Sequence, residues 1–99
     1  MAIYIKKSDY DPYLHSKFQV HVEPDHIVEV ELFEITDTSG EHTEGFSLIF
    51  RGPLEKPFQQ RIYQLQHPQM GALELFMVPV NYGKQDAIYY QALFNRLRE

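Results

Sequence analysis

Apolar side chains return at every second position along most of this chain, and that period decides what it can fold into. Phe18, Val20 and Val22 alternate with Lys17, Gln19 and His21; Val28, Val30 and Leu32 alternate with Glu29 and Glu31. A period of two puts successive residues on opposite faces of an extended strand, one face buried and the other wet. Phe46, Leu48 and Phe50 repeat the pattern, as do Tyr63, Leu65 and His67 within residues 61–67, and two further strands are read over residues 72–80 and 87–95. At Leu32-Phe33 the parity slips, because Phe33 and Ile35 continue in the opposite register. Such a slip predicts a β-bulge or a strand that leaves one layer for another.

Turn chemistry separates these strands. Pro24-Asp25 is a turn signal, residues 36–45 form a polar, glycine-flanked loop, and Gly52-Pro53 closes the third strand. His67-Pro68-Gln69-Met70-Gly71 reads as a type I turn ending with glycine in the left-handed region. Asn81-Tyr82-Gly83-Lys84 breaks the fifth strand. Near the start, Ser8 with Asp11 three residues on, and Pro12 beside it, predicts a capped helix of one or two turns over residues 9–14. Six strands with short connections and one early helix give an all-β fold, a six-stranded antiparallel barrel or sandwich forming one domain over residues 1–99.

The last two strands are apolar on both faces. Leu73, Leu75 and Met77 oppose Phe76, Val78 and Val80, while Ile88, Tyr90 and Phe94 oppose Tyr89 and Leu93. An antiparallel strand with one wet face has polar residues on that face, so the second apolar face must be covered. A helix over residues 9–14 covers little area, which favours another protein, most simply a second copy of the chain. Phe76, Val78, Val80, Tyr89 and Leu93 are therefore the expected partner-binding residues. Arg51 joins them as a candidate anchor, although a bridge to a carboxylate is the blander role for it.

Charge and composition narrow the function. The net charge of -5 disfavours nucleic acid and anionic membrane as partners. Residues 1–50 carry ten acids and three bases, residues 51–99 four acids and six bases. That asymmetry reads either as an ordinary solvated surface or as complementarity between copies. With 43% apolar residues the chain has enough to build a core. No stretch approaches the roughly 18 apolar residues of a membrane helix, and residues 1–7 lack the pattern of a secretory signal. No cysteine is present, which removes disulfide and thiol chemistry and fits a cytoplasmic address.

No catalytic constellation emerges, and neither an enzyme nor a cofactor is expected. His21 and Glu23 share a strand face, but a metal site needs three or four ligands, and His15 is too far along the strand to join them. His26 and His42 fall in turn and loop. His67 before Pro68 is either a titrating contact or, more simply, a ring whose nitrogen bonds the turn backbone. The serines lack a strained glycine-flanked elbow, and Glu29 with Glu31 belongs to an acidic solvated face. The five glycines never cluster into a phosphate loop. Tyr82, Tyr89 and Tyr90 leave a stacking platform for a carbohydrate or peptide open.

The stretch Phe46-Ser-Leu-Ile-Phe-Arg-Gly-Pro53, followed by Tyr63-Gln-Leu-Gln-His-Pro-Gln-Met-Gly-Ala-Leu-Glu-Leu-Phe-Met-Val-Pro79, resembles a small bacterial domain family of unknown function. Asp11-Pro-Tyr-Leu14 followed by Phe18 is similar to the start of that family. The likeness spans most of the chain and is strongest over residues 46–80. It implies a short protein, sometimes associated with phage-tail-like assemblies, and supplies no catalytic residues. Together these features predict a non-catalytic interaction or assembly module that forms a homo-oligomer, with a small-ligand or carbohydrate-binding barrel as the alternative.

Overall fold

The computed structural model describes residues 6–97. Expectations that rested on residues 1–5 and 98–99 lie outside that range. Six antiparallel strands, β1 (Lys17–Glu23), β2 (His26–Asp37), β3 (Thr43–Gly52), β4 (Arg61–His67), β5 (Gly71–Val80) and β6 (Ile88–Leu97), close into a barrel in the order β1-β2-β3-β6-β5-β4. The structure thus decides for the barrel over the sandwich. No helix among the described residues is long and apolar enough to cross a membrane.

Alternation builds the wall. Phe18, Val20, Val28, Val30, Leu32, Leu48, Phe50, Leu65, Met77 and Tyr90 point inward and are at most 1% exposed. Their rings meet across the interior, with Phe18 edge-on to Phe50 at 5.3 Å between centroids. Interior side chains fill a barrel this narrow. Registry slips once in β2, between Leu32 and Glu34 opposite β3, so the predicted parity break is a bulge at Phe33. Gly45 is required where β3 meets β6, since a Cβ there would sit 2.8 Å from the Phe94 carbonyl oxygen.

The wall is unevenly stitched. β3 and β6 pair over ten positions, from Thr43↔Leu97 to Gly52↔Ile88. β5 meets β6 only from Val78↔Gln91 to Val80↔Tyr89, and β1 meets β4 only from Gln19↔Gln66 to His21↔Gln64. The β4–β5 hairpin is therefore a panel attached along two short seams.

Each end of the barrel is plugged. Helix α1 (Lys7–Tyr10) and a 3-10 turn (Asp11–Tyr13) begin two residues earlier than the sequence predicts. The cap also differs: the Asp9 carboxylate accepts the Lys6 N–H at 3.0 Å, while Ser8 lies inside the helix and Asp11 pairs with Lys7 at 3.1 Å. Buried Tyr10 packs on Phe46 and Phe94. At the other end Phe58 stacks on Tyr90 at 4.0 Å, and its N–H donates to the Tyr90 hydroxyl at 3.2 Å. Residues 36–45 are more ordered than a plain loop, because β2 runs to Asp37 and β3 starts at Thr43, with Thr38 N–H bonded to the Gly45 carbonyl.

Candidate functional site

The outer wall carries the residues expected to meet a partner, and it treats them in two ways. Ile62 of β4 lies directly opposite Phe76 of β5. Leu93 of β6 faces outward like Gln91, two residues beyond Val78↔Gln91, the last paired position of β5 and β6. Ile62, Phe76 and Leu93 are 61%, 49% and 60% exposed, large apolar side chains on three successive strands of the wall. Val78 and Val80 are half-buried.

Tyr89 behaves differently. It points outward next to Arg51, yet it is only 2% exposed. The expectation that it faces a partner is corrected: the chain covers it. The bulge residue Phe33 packs edge-on to Tyr89 at 5.6 Å and to Tyr82 at 5.8 Å. Tyr82, from the β5–β6 loop, stacks on Tyr89 at 4.6 Å. Polar contacts lock these rings. The Tyr82 hydroxyl donates to Glu34 Oε1 at 2.6 Å, and the Tyr89 hydroxyl donates to Asp86 Oδ1 at 3.0 Å. Glu34 beside it pushes the Tyr82 phenol up to about 12, because a phenolate would lose that bond and meet a carboxylate. The bond from Tyr89 holds the Asp86 carboxyl below its ordinary value, while burial raises the Tyr89 phenol.

Arg51 takes the structural role of the two proposed for it. Its guanidinium pairs with Asp86 at 3.3 Å and lies 5.5 Å above the Phe33 ring. Lys84 sits over the same ring at 5.3 Å. Tyr90 points inward and leaves the expected stacking platform, in which Tyr82 and Tyr89 lie against each other. Open grooves run along other parts of the outer wall. One of about 390 Å³ is lined by Lys17, Gln19, Glu29, Gln66, His67, Pro68, Gly71 and Ala72.

The other candidates resolve individually. His67 bonds the turn as its sequence position suggested: its Nδ1 accepts the N–H groups of Gln69 and Met70 at 3.1 and 3.3 Å. A register shift in β1 lies between His21 and Glu23, and no group of three His, Asp or Glu among the described residues is placed to hold a metal ion. Glu31 is engaged by His15 at 3.4 Å and Lys17 at 3.6 Å. Sequence reasoning missed Ile62, an isolated apolar residue on the wet face of β4. The signal was present, because the Pro68–Gly71 turn fixes the hairpin register that places it against Phe76.

Comparison with curated proteins and with solved structures finds no match in either. A protein-family model matches residues 5–94, nearly the whole chain, and on that basis the chain belongs to the family described as a domain of unknown function, DUF6916.

Proposed function

We propose that this domain is a non-catalytic interaction module that associates with a second copy of itself through the outer-wall residues Ile62, Phe76 and Leu93, flanked by Val78. The observation that carries the reading is the exposure of three large apolar side chains on three successive strands. Contiguous apolar patches of roughly 300–600 Å² are the largest that monomers ordinarily show and are often functional. A standard interface buries about 800 Å² per partner, so these residues are the centre of a modest contact completed by polar neighbours. Gln64, Glu74 and Gln91 supply that rim. A two-fold arrangement is the simplest, since it lays the same surface against itself. The net charge of -5 on each copy opposes the contact, so added salt strengthens it by screening. The family resemblance extends the proposal to an adaptor in a larger bacterial or phage-tail-like assembly, in the cytoplasm.

Light scattering and sedimentation of the purified chain at high micromolar concentration test this. Self-association that rises with salt and disappears in Phe76→Asp, with β-structure retained, is the expected result. A strict monomer at all salt concentrations overturns it. Leu93→Asp serves as the second variant, since that side chain is still more exposed. The small-ligand alternative finds less support, because the interior is occupied by the inner-wall side chains.

A further inference from the structure

His67 is a buried titratable group at one barrel end, and it ties the β4–β5 turn to residues 13–18, its partner Ser16 lying 51 positions away in sequence. Its ring is 4% exposed, edge-on to Tyr13 at 4.9 Å and against Phe18 at 4.6 Å. With Nδ1 accepting two N–H groups, the ring proton resides on Nε2, which meets Ser16 Oγ at 2.9 Å. The Ser16 hydroxyl in turn donates to the Tyr13 carbonyl. The neutral ring in this tautomer satisfies the turn on one side and the N-terminal plug on the other.

We propose that His67 is a pH-sensitive latch on the β4–β5 turn. Protonating Nδ1 removes the only lone pair that the Gln69 and Met70 N–H groups share and puts a third donor in its place. The turn then lifts from the barrel end and uncovers Met70, which is 3% exposed while the latch is shut. The Nε2 bond to Ser16 survives, so opening is confined to the turn. The charged groups around the ring are Lys17 of β1 and Glu29 of β2, which line the same groove. Lys17 is drawn toward Glu31, which His15 also engages, and Tyr13 of the plug contacts the ring through its edge. Pro68, Gln69, Met70, Gly71 and Ala72 contribute no titratable side chain. Burial lowers the ring's affinity for a proton below the ordinary 6.5. The latch is therefore fully shut above that value and loosens as pH falls through the folded-state pKa.

Amide exchange of the full chain, followed residue by residue by NMR between pH 7.5 and 5 and corrected for intrinsic rates, tests the latch. Protection at Gln69 and Met70 should fall by up to about tenfold per pH unit as pH drops from the ordinary 6.5 toward the folded-state pKa and level off below it, while Leu65 in β4 keeps its protection. In His67→Asn the side-chain Oδ1 supplies an acceptor that does not titrate, and the pH dependence should vanish. Flat protection at Gln69 and Met70 in the wild type overturns the proposal. So does an undiminished pH dependence in His67→Asn, which would assign the effect to another group. Should that variant not fold, the ring nitrogens of the wild type give the same decision: a ring that titrates with no response at the two amides overturns the latch.

Discussion

Two regions of one outer wall carry large apolar side chains, and the barrel encloses one while leaving the other bare. Tyr89 is 2% exposed, whereas Phe76, on the adjoining strand, is 49% exposed. Hydrophobicity does not separate them, since Phe is the more apolar of the two. The separation comes from irregular backbone nearby. Around Tyr89 the β2 bulge turns Phe33 outward, and the β5–β6 loop brings Tyr82 over the ring. Around Phe76 the neighbours are regular strands, β4 on one side and the unstitched part of β6 on the other. Strand residues are committed to the wall, so cover for its outer side has to come from bulges and loops. Where neither is at hand, the apolar face is left for another molecule.

The sharpest way to break this comparison is to truncate each ring. Tyr89→Ala should cost about 3 kcal/mol in urea unfolding, as for other enclosed aromatics, while Phe76→Ala should change stability by less than about 1 kcal/mol. Equal losses would show that the two regions are packed alike. A smaller effect, about 1–2 kcal/mol, is expected for Phe33→Ala, which strips the cover from Tyr82 and Tyr89. That variant should also bind an apolar dye and self-associate more strongly, because it turns the enclosed region into a second bare one. The smallest change is expected for Asp86→Asn, which weakens the polar tie between Arg51, Tyr89 and the loop. Here the carboxyl pKa is held down in the folded protein, so its contribution is present above the ordinary 3.8 and is lost as pH falls through the folded value. The stability gap between wild type and variant, measured by thermal unfolding, should therefore shrink on acidification below about pH 4; a gap independent of pH would assign Asp86 no ionic role.

Much of the architecture is legible without coordinates. The inner wall follows from alternation, because a residue on the wrong parity would place a charge in the core. β4 begins and ends at the residues its pattern indicates, and Gly71 adopts the positive φ of 78° that its turn requires. Phe33 was legible as a break in parity but not as a cover, because nothing local says where a bulged side chain will land. For the same reason the loop around Tyr82 reads as a mere interruption. Ile62 was hidden by its solitude on a polar face, becoming part of an apolar patch only when Phe76 arrives opposite it from β5. His67 was legible in part: the turn bonds are local, whereas the contact with Ser16 spans 51 positions in sequence.

By itself the sequence determined the strand class, the inward set of side chains, the bulge and the turns, since each depends on residues within a few positions of one another. Closure of the barrel decided the rest. It chose the partners of each strand, set Phe33 and Tyr82 against Tyr89, and left Ile62, Phe76 and Leu93 uncovered. Burial is a property of contacts between distant segments, and a two-residue period records which way a side chain points but not what it meets there.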